Sequence, residues 1–131
     1  MRTPRMLLDD IRNNHALHFI EGTVRYLTVE EGGRTKPIFS GYRGQFHYAD
    51  DPVLVFDGFQ YFPDYRDDDS VPLGATVRTH IGFLKERWND YHSKRMSVGS
   101  AFQIQEGTKV VGRGTVTGLV ANPPAFDSGR S

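Results

Sequence analysis

The chain has 131 residues, with 16 lysines and arginines set against 16 aspartates and glutamates, and it contains no cysteine. That length suits one domain burying about two thirds of its unfolded surface, and the missing thiols exclude disulfide scaffolds, Cys-ligated zinc and thiol catalysis while suiting a reducing compartment. Zero net charge gives no long-range pull on a phosphate backbone, so a generic nucleic-acid binder, a DNA binder included, is not expected.

Thr3-Pro4 reads as an N-cap followed by proline in the first helical turn, and Leu7, Leu8 and Ile11 follow at helical spacing. A short helix is predicted over 3–14, inside an N-terminal arm spanning 1–18. The apolar run Met6 to Leu8 is cut off by Asp9 and Asp10, short of the ~7 to 15 residues of a signal sequence. No window approaches ~18 consecutive apolar residues, so a cytoplasmic protein without membrane partnership is expected.

From Phe19 the pattern changes to a period of two, rich in β-branched and aromatic residues, and a β domain is predicted over 19–120. Its first strand is read at Thr23 to Val29. Glu30 to Arg34 is read as a hairpin turn, since Gly32-Gly33 tolerates the positive φ of tight connections. The return strand is placed at Lys36 to Tyr48, with Gly41 and Gly44 as bulges that curve it. Further strands are predicted at Val53 to Phe56, Gly58 to Phe62, Ala75 to Phe83, Ala101 to Gln105 and Val110 to Val116.

Between Phe83 and Met96 two readings stand. A long hairpin turning at Asn89-Asp90 is preferred, and a helix with Leu84, Trp88 and Tyr91 on one stripe is the alternative. The end, 121–131, is polar and proline-bearing and is read as a disordered tail. Many short strands without strand-helix alternation argue for an all-β fold, and a closed antiparallel barrel removes the sheet edges that invite aggregation.

Two blocks carry a resemblance. The stretch "EEGGRTKPIFSGYRGQFHY", Glu30 to Tyr48, and the stretch "MSVGSAFQIQEGTKVVGRGTV", Met96 to Val116, resemble the C-terminal, third domain of bacterial elongation factor Tu. In the second block Met96, Gly99, Phe102, Ile104, Glu106, Gly107, Gly112 and Gly114 fall in that family's order. The similarity covers about residues 20 to 120, with a longer and poorly matched middle at 49–95. It implies a six-stranded antiparallel β-barrel; in the factor that barrel packs on the GTPase domain, touches the T stem of aminoacyl-tRNA and contributes to the nucleotide-exchange-factor interface. The matching tRNA-facing positions are Arg34, Gln45 and Gly107, whose guanidinium fork, amide and exposed backbone N–H are donors for phosphate and sugar. Two positions depart from the pattern: Thr35 stands where the family has histidine, and Gly44 where it has proline.

No G-x-x-x-x-G-K-[ST] phosphate loop occurs in the sequence, so GTP is not expected as a ligand. Ser100 follows Gly99 without a nucleophile elbow. His15 and His18 lack a companion ligand cluster. Asp64, Asp67, Asp68 and Asp69 lack the spacing of a hard-cation loop and read as a solvated acidic segment. No enzyme activity, cofactor or metal is expected.

The segment 85–95 opposes that acidic run with Lys85, Arg87, Lys94 and Arg95 against Glu86 and Asp90. Its mixture of aromatic and cationic side chains suits a protein hot spot or a stacking surface for bases, while Trp88 plugging one barrel end is the structural alternative. Arg87, Trp88, Tyr91, Lys94 and Arg95 are the candidate partner-binding residues. The expectation is a non-enzymatic interaction module that docks on a protein, translation-related or of inhibitor or immunity type. The alternative is tRNA-backbone binding through Arg34, Gln45 and Gly107.

Overall fold

The structure, a computed structural model, describes residues 17–122. The helix expected over 3–14 and the tail beyond 122 lie outside these residues. Seven strands make one antiparallel sheet: β1 (Leu17–Tyr26), β2 (Gln45–Tyr48), β3 (Asp51–Asp57), β4 (Phe59–Tyr61), β5 (Thr76–Leu84), β6 (Ala101–Glu106) and β7 (Lys109–Gly118). Between β5 and β6 runs a helical segment made of α1 (Lys85–Arg87), a π-helical turn (Trp88–His92) and α2 (Ser93–Arg95).

Period-two alternation sends one face of each strand inward. Ile20, Val24 and Tyr26 of β1 meet Val77, Ile81 and Phe83 of β5, Phe102 and Ile104 of β6, and Val111 and Val116 of β7 in one core. The opposite face of β1 carries Leu17 and Phe19, which form a small outer cluster with Phe59 and Tyr61 of β4.

The strand order is β3-β2-β6-β7-β1-β5-β4. This sheet curls until the two ends of its inner six strands approach each other. There Tyr42, just before β2, forms an antiparallel bridge with Gln60 of β4, through Gly41 N–H to Gln60 O at 2.8 Å and Gln60 N–H to Tyr42 O at 2.8 Å. β2, β6, β7, β1, β5 and β4 therefore form the barrel-like ring of six that the sequence led us to expect, and β3 is appended outside it, beside β2.

The curvature depends on close contacts. A Cβ on Gly114 would stand 2.2 Å from the Thr23 carbonyl oxygen and 2.4 Å from the Phe102 ring, so Phe102 reaches across the sheet only because that position is bare. Gly44 is equally constrained: its Cβ would fall 2.5 Å from Ile104 Cγ2 and 2.8 Å from the Tyr42 ring. Neither Gly41 nor Gly44 is a strand bulge. Both precede β2, Gly41 at φ 94°, and the register shifts fall at Glu21/Gly22, Phe46/Tyr48 and Ile104/Gln105.

Two further expectations are corrected. The turn after β1 forms, closed by bonds from the Glu31 and Gly33 N–H groups to Thr28 O, but it does not open a hairpin. Both edges of β1 are already occupied, by β5 and β7, so the returning chain has no edge to pair with and becomes strand only at Gln45–Tyr48, between β3 and β6. The preferred hairpin over 83–96 is instead the helical segment. Trp88, Tyr91, His92 and Arg95 recur at i, i+3, i+4 and i+7, one helical stripe laid over the end of the core.

Candidate partner-binding surface at the helical cap

The cap is organised around His92, which is wholly buried. Its ring lies 4.4 Å from the Phe83 ring, 4.6 Å from Phe56, 5.6 Å from Tyr48 and 5.7 Å from Tyr91. The Tyr48 hydroxyl sits 2.6 Å from His92 Nδ1. Burial, reinforced by the Arg87 charge, lowers the His92 pKa to about 4, while burial raises that of Tyr48. A neutral imidazole and a protonated phenol result. With Tyr48 donating to Nδ1, the ring proton resides on Nε2, which faces the aromatic rings without a hydrogen-bond partner. Neither group reaches solvent, so the pair fixes the cap on the core and has no access to a substrate.

The π-helical turn lets neighbouring rings share this task. Trp88 stacks on His18 at 3.8 Å with 12° between the planes, and Tyr91 stacks on Phe56 at 5.2 Å and 26°. Arg95 lies 4.2 Å over the Tyr48 ring and bonds the Asp50 carboxylate, a contact that raises its own pKa. Of the five residues singled out for partner binding, Trp88, Tyr91 and Arg95 are half-buried and fasten the segment, whereas Arg87 and Lys94 are exposed. Arg87 borders a cleft of about 160 Å³ with Val55, Phe56, Asp57 and Leu84.

Beside that cleft lies an apolar patch that sequence reasoning missed. Val53 is 84% exposed, Val55 56%, Leu54 40% and Leu84 44%. The uninterrupted apolar run in "DPVLVFD" suggests a strand buried on both faces, but β3 is the outermost strand of the sheet and only Phe56 is drawn against the core, leaving Val53 to Val55 exposed. No family model matches the chain.

The opposite set, chosen for RNA, comes together at one end. Gln45 pairs in register with Gln105, next to Glu106 and the β6–β7 turn at Gly107, whose φ is 61°. Arg34 forms an ion pair with Glu106, and its guanidinium lies 4.9 Å over the Tyr42 ring. The Tyr42 hydroxyl donates to the same carboxylate at 2.5 Å. Burial works to raise the Glu106 pKa, but the bonds from Tyr42 and Arg34 outweigh it and leave the carboxyl below its ordinary value. Arg34 therefore spends its charge on Glu106, which competes with any phosphate. The unexpected Gly44 has its reason in the same corner, because a side chain there would strike Tyr42 and Ile104.

Other candidates resolve as structural features. The acidic run begins with Asp64 bonded to Arg78 at 2.6 and 3.2 Å, which lowers the Asp64 pKa. His18 Nε2 lies 2.8 Å from Leu119 O, and His15 lies outside the described residues. Among the described residues no group of three His, Cys, Asp or Glu is placed to hold a metal, and no helix is long and apolar enough to cross a membrane.

Proposed function

We propose that the chain is a non-enzymatic, cytoplasmic β-barrel interaction module, related to the third domain of elongation factor Tu, that docks on a protein partner. The partner belongs to the translation apparatus or to an inhibitor or immunity-type system. The supporting observation is the two-sidedness of the helical cap: its rings are used inward to hold the segment, while Arg87, beside exposed Leu84, and Lys94 are left exposed. An apolar centre with a cationic rim suits an acidic protein face, to which rim charges contribute mainly encounter rate and specificity. Placing a photo-crosslinking residue at Lys94, with exposed Thr76 at the opposite end of β5 from Leu84 as control, tests this reading. Stoichiometric capture of one protein from Lys94 alone, reduced by Arg87→Glu, is expected; equal capture from both positions would overturn it.

A second reading rests on the shared position of Arg34, Gln45 and Gly107 at one end of the barrel. It holds that these groups contact tRNA backbone, and it predicts a log-log salt slope of about −2 to −4, since few phosphates are reached. Binding of tRNA that is unchanged in Arg34→Ala would remove this reading.

A further inference from the structure

Away from the helical cap, one apolar surface lies on the outer side of the sheet. Leu17 and Phe19 of β1 and Phe59 and Tyr61 of β4 point away from the barrel core, yet they are only 3 to 7% exposed. Between them in β5, Gly82 is bare, and a Cβ there would stand 2.9 Å from the Phe19 ring. One row along, His80 stands between Glu21 and Tyr61 with its Nδ1 buried and unpartnered. A sheet face open to water does not bury such groups by itself. The burial is local: on the same face of β5, Thr76 and Arg78 to one side and Leu84 to the other are exposed. Among the described residues, Ala121 packs on the cluster and the Arg43 guanidinium lies 5.2 Å over the Phe59 ring. One methyl group and one guanidinium do not seal three aromatic rings, each with about 150 to 250 Å² to hide.

Both ends of the described chain meet at this surface, so two stretches can reach it. Leu17 belongs to the cluster, and Ala121 donates its N–H to Phe19 O at 2.8 Å. Residues 1–16 place Pro4, Leu7, Leu8 and Ile11 at i, i+3, i+4 and i+7, the stripe of a helix that packs by one face, and Asn13-Asn14 ends it a few residues before Leu17. As a helix, 3–14 is about 18 Å long, enough to cross β1, β5 and β4 at about 5 Å between neighbours. Residues 123–131 offer a single large apolar side chain, Phe126. Charge makes the same choice. Tyr61 bonds Asp67 at 3.4 Å, so the rim of the cluster is the start of the acidic run 67–69. Residues 1–16 carry Arg2, Arg5 and Arg12 against Asp9 and Asp10, whereas Asp127 and Arg130 cancel in the tail.

We infer that residues 1–16 fold back over the outer face of β1, β5 and β4 as an amphipathic helix, with Leu7, Leu8 and Ile11 on Phe19, Phe59 and Tyr61 and its arginines beside the acidic run. The helix closes this face to other proteins, so a partner that uses it must first displace the segment. The docking reading above uses the helical cap and stands or falls separately.

The chain has no cysteine, so Asp9→Cys in the full chain carries a single nitroxide label on the side away from the stripe. Nuclear magnetic resonance is expected to show line broadening at the amides of Phe59–Tyr61 and Gly82, and none at residues 102–104 of β6, across the ring. Adding Leu8→Asp is expected to abolish the broadening. Trypsin is then expected to cut after Arg12 about tenfold faster, since burying one leucine is worth at least that factor in the docked population. No broadening in β4, or broadening that survives Leu8→Asp, would overturn the inference. A label at Ser128→Cys that broadens β4 while the label at Asp9→Cys does not would also overturn it, by giving the cover to the tail.

Discussion

The helical cap and β3 meet where Tyr91 stacks on Phe56, and both are rich in large apolar side chains, yet they are used in opposite ways. In the cap Trp88, Tyr91 and His92 are drawn against Phe56, Phe83 and Tyr48, and a neutral histidine is held among aromatic rings. In β3, Val53, Leu54 and Val55 remain in solvent. Composition does not separate them. The difference lies in what each element finds beside it: the cap lies across the open end of a core, whereas β3 joins a sheet whose last pairing position it occupies.

The largest expected effect is on the buried side. Phe83→Ala removes a ring that supports both His92 and Phe46, and a loss of about 3 to 5 kcal/mol in chemical denaturation is expected, as for other buried phenylalanines. A cost below about 1 kcal/mol would mean that the cap is loosely seated. Next comes Gly44→Ala, which inserts a methyl against Ile104 and Tyr42 and is expected to cost about 1 to 3 kcal/mol through overpacking.

The cap also predicts a pH dependence. His92 takes up a proton near its ordinary value of about 6.5 when unfolded, but only at about 4 when folded. The unfolded chain therefore binds more protons between these values, and stability falls as pH drops from about 6.5 through 4. Melting temperatures across that window should decline in the parent protein and decline less in His92→Phe. Identical slopes would show that His92 does not titrate as its surroundings require. At the small end of the series, Val53→Ala should change monomer stability by no more than about 0.5 kcal/mol, as at other exposed sites, and a larger loss would mean that β3 is covered.

The same contrast accounts for what the sequence revealed. Strands β5, β6 and β7 were placed nearly to the residue, because alternating Val, Ile and Phe against Thr and Arg states both the element and its inward face. Two separate strands were read at Val53 to Phe56 and Gly58 to Phe62, and they correspond to β3 and β4 with the break at Gly58. What failed was the extent of the first strand, read at Thr23 to Val29 but spanning Leu17–Tyr26, and the pairing. The Glu31 to Gly33 turn has every local feature of a hairpin, but whether β1 has a vacant edge is decided by Thr76–Leu84 and Lys109–Gly118, far along the chain.

For the site, the helical stripe was visible in Trp88 and Tyr91. Extending it by one and four positions would have reached His92 and Arg95 and favoured the helix over the hairpin. The exposure of Val53 to Val55 had no local signal, since a continuous apolar strand usually reads as buried. Arg34, Gln45 and Gly107 lie near one end of the barrel, but the carboxylate of Glu106 that pairs with Arg34 was not anticipated.

The account turns on a barrel-like ring of six strands with β3 appended outside it. Amide hydrogen exchange, followed residue by residue, tests this most directly. It predicts slow exchange in β1 and β6 and fast exchange at Val53, Leu54 and Val55, which lie opposite His47 alone in the ladder. Protection of those β3 amides equal to that of β1 would contradict it.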